Sequence, residues 1–503
     1  MTNESKTACR KPAPRAAAVL LLAALHGVYA LDFPTGRHGA YSSAYLSDWR
    51  ALPNGKHYPR KQRSDYRFER KLGEEVKRRF INQKNVHITG KYWQVHWNTG
   101  PGWKSGGGKY ATSLFHVRNC EQVLIEDMAI VQLDGDYRAS HAFVIEGCGD
   151  VIVRNVYISG ATPKYHLRIE GCERVFIDNV EVCGNDYGES GVRCGSGIMV
   201  HNGEGAGDKN FKIYSPDPRE LQWCVIQNCY VHDYLAIDKR RNQDGIIVTS
   251  ARAGILFNCY VENWKQSDAA LDISHRRRDP GYTNNVFRVE RCVFKNNNMI
   301  KTSGGLSNPD NSIVFCNNVF INTWNGCYHD GYANYWLHNT HVVTPAGKAR
   351  IFWKLWGISA GATSVFRNNL LHVYDAPLEA VFYATSKRPI PARDSIKSDY
   401  FLHLMPKPKS WIGGTKKEIW TGALAQWREG GQDAHSVLGP PEDPFRNRER
   451  EDFRLRPASP ARDFGTAEYL AHKHPGLRVD RDFLGNRRDS KPDAGAFELG
   501  GGR

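Results

Sequence analysis

Between about Ser113 and Asp375 the chain alternates short β-branched and aromatic runs with Asn, Gly or Asp, as in WCVIQNCYVHDY, GILFNCYVENW, FRVERCVFKNN, SIVFCNNVFIN and SVFRNNLLHVY. Runs of this length bounded by turn residues are strand-and-turn chemistry rather than helix. Two near-copies, FVIEGCGDVIVRN and LRIEGCERVFIDN, lie 24 residues apart, so that Asn155 maps onto Asn179. A fixed period of this size marks stacked coils. If each coil is one rung of a solenoid, residues one period apart lie about 4.8 Å from each other, the spacing of neighbouring strands. A β-sandwich has no reason to repeat such a motif in register, and a propeller blade needs about 40 residues. The predicted fold is therefore all-β, a single-stranded right-handed parallel β-helix. The Asn that recurs in its Asn-Cys and Asn-Asn pairs is expected at a stacked turn, since Asn tolerates the left-handed conformation.

The flanks divide as follows. Residues 1–30 read as an export signal: Arg10, Lys11 and Arg15 precede the apolar run AAAVLLLAAL, and small residues lead to Ala30. The mature chain is then secreted, extracellular or periplasmic. No later stretch approaches the roughly 20 apolar residues of a membrane span. Residues 31–110 are assigned to an N-terminal cap. In FERKLGEEVKRRF, Phe68, Leu72, Val76 and Phe80 recur every four residues and predict an amphipathic capping helix over the open end of the solenoid. Residues 111–385 form the β-helix catalytic core, and residues 386–450, where the period is lost, read as a surface excursion. Residues 451–503 are assigned to a C-terminal coil or cap, because FRLRPASPARDFG and DFLGNRRDSKPDAGAFELGG resemble the last coil of many secreted right-handed parallel β-helix proteins.

A chain of 503 residues with 41% hydrophobic side chains can bury a large core. It holds 12 cysteines, one of them (Cys9) in the signal. Cys148 and Cys172, Cys229 and Cys259, and Cys292 fall at matching places in the repeats. Small apolar residues stacked inside the coils explain them better than a disulfide framework, which so large a chain does not need. No CxxC pair occurs, which argues against zinc.

The candidate chemistry lies between Asn242 and Gly305. Asp244 and Asp268 are 24 residues apart, Asp272 closes the sequence DAALD, and Lys301 follows in NNNMIKTSGG. One coil interval would bring the three acids onto one wall, where their repulsion calls for a cation or for raised pKa values. Oxygen-only ligands favour a hard ion, and Ca²⁺ over Mg²⁺. Lys301, about one coil further on, would neighbour that ion and act as a base. Together they suit β-elimination from a uronate. The order and spacing resemble the family 9 polysaccharide lyases, which bind calcium through four aspartates, the last three as Asp-Asp-x-x-Asp one coil after the first, and use a lysine in a Gly-rich segment as Brønsted base. The resemblance implies that Asp244, Asp268 and Asp272 are metal ligands and Lys301 the catalytic base. Ala269 stands where the second aspartate of the motif is expected, which predicts a weaker or altered metal site, and Met299 and Ser303 stand where glycines commonly surround the lysine.

A net charge of +15 points to an anionic partner. Basic blocks flank the acids: Lys239, Arg240 and Arg241 before Asp244, and Arg276, Arg277 and Arg278 after Asp272. Arg241 and Arg276 to Arg278 are candidate subsites for the carboxylates or sulfates of an acidic polysaccharide. With an export signal and no nucleic-acid-binding motif, nucleic acid is not the expected polyanion. Trp324, Tyr328, His329, Tyr332, Tyr335 and Trp336, then Trp353 and Trp356, could line a glycan groove or pack in the core. His201 and His329 are candidate acids that no spacing selects. The expected protein is a monomeric lyase. Two rivals remain: a β-helix glycoside hydrolase using the aspartates as acid and base, and a non-catalytic glycan-binding surface protein.

Overall fold

From Trp223 to Leu404 a left-handed residue between two short strands shapes each coil. Asn228 (φ 52°) separates Trp223–Gln227 from Tyr230–His232, and Asn258 (φ 50°), Asn317 (φ 55°) and Asn368 (φ 56°) play the same part in later coils. The stacked-turn role expected of Asn is borne out. Asn179 donates from Nδ2 to Asn155 Oδ1 at 2.8 Å, and Asn258 to Asn228 at 2.7 Å. Arg291 (φ 54°) and His338 (φ 52°) fill the same turn in two intervening coils.

The computed structural model describes residues 69–72, 78–89, 92–96, 113–133, 141–160, 165–184, 196–202, 219–234, 244–249, 251–264, 269–274, 286–302, 311–329, 333–345, 351–358, 363–374, 380–384, 396–406, 410–414, 424–468 and 479–499. Each coil contributes three strands to three parallel ladders. One ladder runs through Trp223–Gln227, Ala253–Phe257, Val286–Glu290, Ser312–Cys316, Ala333–Leu337, Thr363–Arg367 and Ile396–Asp399. A second runs from Tyr230–His232 through Tyr260–Glu262 and Val293–Lys295 to Leu402–Leu404 and Val437–Gly439. Early in the chain these two are continuous in single long strands, Gln122–Leu133, Asp150–Gly160 and Arg174–Cys183. The third ladder, a 12-stranded sheet, includes Ser196–His201, Ile246–Thr249, Leu271–Ser274 and Met299–Thr302. The chain is thus the expected parallel β-helix. Among the described residues no helix is long and apolar enough to cross a membrane.

Inside the coils equivalent residues stack on one another. Phe115 lies on Phe143 with centroids 5.0 Å apart, and Phe315 on Trp336 at 4.0 Å. The residue after this turn is Met128, Val156 and Val180 in the first coils and then a buried cysteine at 229, 259 and 292, where the backbone N–H of Cys259 reaches Cys292 Sγ at 3.4 Å. From Cys292 onward the same position is asparagine: Asn318, Asn339 and Asn369 hand hydrogen bonds from coil to coil. The nine cysteines whose side chains are described are all free and buried; seven belong to the interior core, while Cys183 and Cys316 pack in small clusters outside it. Tyr335, Trp336 and Trp353 are 3%, 0% and 0% exposed, so these three aromatics belong to the packing and not to a glycan groove.

The predicted capping helix is not formed. The described parts of that segment are strands, Glu69–Leu72 paired in parallel with Tyr92–His96, and Arg78–Ile81 paired with Ser113–Arg118. A four-residue recurrence is also a multiple of the strand period of two, so the pattern fits either element, and pairing with the next coil decides for the strand. Beyond Asp375 the ladders continue where the readable period stops. Ile396–Asp399, Leu402–Leu404 and Ser410–Gly414 add another coil, and a short helix, Leu424–Glu429, sets Trp427 against Phe382. In the last segment Asp452–Leu455 pairs antiparallel with Phe445–Asn447, and residues 479–499 form one isolated bridge, Arg481 with Arg487, rather than a rung. Residues 479–499 lie as a strap across the turns: Gly495 N–H donates to Asn368 O at 2.8 Å, Ala496 N–H to Thr340 Oγ1 at 2.8 Å, and Arg488 to Asn317 Oδ1 at 2.8 Å.

Candidate active site

Alternation along the third ladder aims the candidate residues outward. Ile246, Val248, Leu271, Ile273 and Ile300 belong to the core, so Asp272 and Lys301, which sit between or beside them, project from the opposite face. The two are direct partners on adjacent rungs, and Lys301 Nζ lies 3.1 Å from Asp272 Oδ2. Both are buried, at 4% and 7% exposure.

Asp244 stands differently from expectation. The coil-to-coil offset here is 25 residues, pairing Ile246 with Leu271 and Ile247 with Asp272. Asp244 therefore stands over Ala269 and not Asp268, and Asp272 lies three residues further along the rung, about 10 Å at strand rise. The 24-residue interval of the near-copies holds between Asp150–Gly160 and Arg174–Cys183, but coil length is not constant along the chain. Asp244 Oδ1 accepts the backbone N–H of Ala269 at 2.8 Å, while its own N–H donates to Ser196 Oγ at 3.0 Å. Next to it Gly245 allows close approach: a Cβ there would come within 2.5 Å of the Ala270 carbonyl oxygen. One oxygen of Asp244 is thus committed to holding neighbouring coils together. Asp268, Arg241, Arg276, Arg277 and Arg278 lie outside the described residues, as does Ser303 and as do the side chains of Trp324, Tyr328 and His329.

The same outer face carries a second polar station two to five rungs before that of Asp272. His116 Nε2 lies 2.8 Å from Glu146 Oε1, and Arg168 Nη2 lies 2.6 Å from Glu170 Oε2. Glu146, Glu170 and His201 occupy one register row on consecutive rungs. Burial, with the charge of Glu146 added, raises the Glu170 carboxyl pKa against the opposing pull of Arg168. Of this group the sequence reading named only His201. The signal was present, since Glu146 and Glu170 end matching strands in the two near-copies, FVIEG and LRIEG. No family model matches the chain, and no curated protein matches it either.

Proposed function

We propose that this chain is a polysaccharide lyase that cleaves a uronic-acid-containing acidic polysaccharide by cation-assisted β-elimination, as the resemblance to the family 9 lyases implies. The observation that carries this reading is the Asp272–Lys301 pair, set in register at 3.1 Å on the outer face of a parallel β-helix. The fold alone argues for no activity, since solenoids host many.

In the proposed reaction Lys301 Nζ takes the C5 proton of a uronate. The electron pair left on C5 forms the C4–C5 double bond, the C4–O bond breaks, and the leaving sugar oxygen takes up a proton from solvent. Paired with a carboxylate, an amine keeps its proton, so Lys301 becomes a base only when the charge of Asp272 is engaged elsewhere. The donor chemistry at Asp244 and Asp272 is oxygen only and fits a hard cation; Asp268 is the third expected ligand. Ca²⁺, when bound, would supply positive charge opposite the substrate carboxylate. The net charge of +15 favours a polyanionic substrate.

The test is ultraviolet absorbance of uronic-acid polysaccharides incubated with the mature chain, with Ca²⁺ or with chelator, alongside Lys301→Ala. Unsaturated uronate should accumulate, and should vanish with chelator and in the variant. Reducing ends without unsaturated product would replace the reading by hydrolysis, and binding without turnover would replace it by a glycan-binding surface.

A further inference from the structure

On the outer face of a different ladder, three potential metal ligands meet that share no short sequence motif. Cys183 and His232 are direct register partners on adjacent rungs, and Asp233 follows His232 at a left-handed turn (φ 54°). One ligand atom from each, the thiol sulfur, an imidazole nitrogen and a carboxylate oxygen, all lie within 4.8 Å of one another. We propose that Cys183, His232 and Asp233 form a binding site for a borderline-soft divalent cation, Zn²⁺ by ligand chemistry.

The imidazole is already oriented for this. Glu181 Oε1 lies 3.1 Å from His232 Nε2, which turns Nδ1 toward Asp233 Oδ2 at 2.9 Å. A carboxylate on the far nitrogen is the usual support of a metal-bound histidine, fixing both its tautomer and its angle. Tyr230 stacks on the ring with centroids 3.9 Å apart. Asn263 Nδ2 holds the other oxygen of Asp233 at 3.0 Å. Tetrahedral zinc places its ligand atoms about 3.5 Å apart, so the cluster needs shifts of roughly 1 Å or less. A thiolate and an imidazole select against Ca²⁺ and Mg²⁺, and so separate this site from the oxygen-donor wall of Asp272. Three protein ligands leave a fourth position open. The Asp233 side chain is 41% exposed while that of His232 is 7% exposed, so the approach from solvent runs past the aspartate.

The mature full-length chain, stripped with chelator, is titrated with Zn²⁺ against a chromophoric competitor and separately with Co²⁺. The expected result is one equivalent of tightly bound Zn²⁺, and with Co²⁺ a thiolate charge-transfer band together with the visible bands of tetrahedral geometry. Cys183→Ser should abolish the thiolate band. Glu181→Gln should weaken Zn²⁺ binding about 10-fold or more while keeping the band, as loss of an outer support does. Asp233→Asn, at the exposed rim, keeps the test open if Cys183→Ser does not fold, and should also weaken binding. The proposal is overturned by absence of stoichiometric binding, by a thiolate band that survives Cys183→Ser, or by unchanged affinity in Asp233→Asn.

Discussion

Asn339 offers a measure of what holds the coils in register. Its side chain is fully buried and makes four hydrogen bonds. Oδ1 accepts the backbone N–H of Asn318 at 3.0 Å and Asn318 Nδ2 at 3.0 Å, while Nδ2 donates to Phe315 O at 3.0 Å and to Asn369 Oδ1 at 3.1 Å. In Asn339→Ala the Asn318 backbone N–H loses this acceptor, at about 1–3 kcal/mol for a buried orphan. Asn318 Nδ2 keeps Val289 O and Asn369 Oδ1 keeps the Asn339 N–H, so each remaining lost bond counts at the net value of about 0.5–1.5 kcal/mol. The expected total is about 5 kcal/mol. Asn339→Cys is the informative companion, because the equivalent Cys292 already accepts the N–H of Cys259 through sulfur at 3.4 Å. A thiol at 339 gives the Asn318 N–H an acceptor again and should cost about 2 kcal/mol less than alanine. Guanidinium denaturation followed by far-ultraviolet circular dichroism measures both midpoints, with the slope checked for constancy. A cost under about 1 kcal/mol for Asn339→Ala, or no difference between the Cys and Ala variants, would refute the equivalence of the cysteine and asparagine stacks.

Further outcomes follow from buried charge. Arg488→Met leaves Glu498, 2.7 Å from Nη1 and 2% exposed, as an unpaired buried acid, at about 3–5 kcal/mol. Because Arg488 also holds Asn317 and Gly495, limited proteolysis should then release the strap at 479–499 first, and uniform cleavage along the chain would count against this. Burial, with Arg428 nearby, lowers the His403 pKa from 6.5 to about 3, so below pH 6.5 the unfolded chain takes up a proton that the folded chain refuses. Stability from this group is present above pH 6.5 and lost on acidification, by about 2 kcal/mol at pH 5, and His403→Phe should remove that loss from the pH profile. Glu498 works in the opposite sense: burial raises its pKa from 4.5 to about 7, so its contribution falls as pH rises across that window. Glu498→Gln should therefore make the loss of stability on acidification steeper, and a shallower profile would contradict the sign.

What was legible in the sequence was the chemistry that repeats inside each coil. Asn at the turn, the small buried residue after it and the apolar alternation are fixed by local conformation and by stacking on an identical neighbour, so they recur as visible copies. Coil length is not fixed in that way. The loops that project from the solenoid can grow without disturbing the ladders, and the offset between equivalent residues is 24 between His141–Glu146 and Tyr165–Glu170 but 25 between Ile246–Thr249 and Leu271–Ser274, then 29 to Met299–Thr302. A one-residue difference is enough to put Ala269, and not Asp268, across from Asp244. Lys301 meets Asp272 for the opposite reason: its offset differs from the visible period, so only the paired ladder brings the two together. The Cys183–His232 contact belongs to the same class, with a further lesson in counting. Both residues are fourth after a turn asparagine, in NVEVC and NCYVH, as Glu262 is in NCYVE. Position relative to the turn, and not distance along the chain, is what a solenoid conserves from coil to coil. Ligands drawn from different coils leave no spacing motif such as CxxC, yet Cys183 and His232 fall into a single column once each coil is aligned on its left-handed residue.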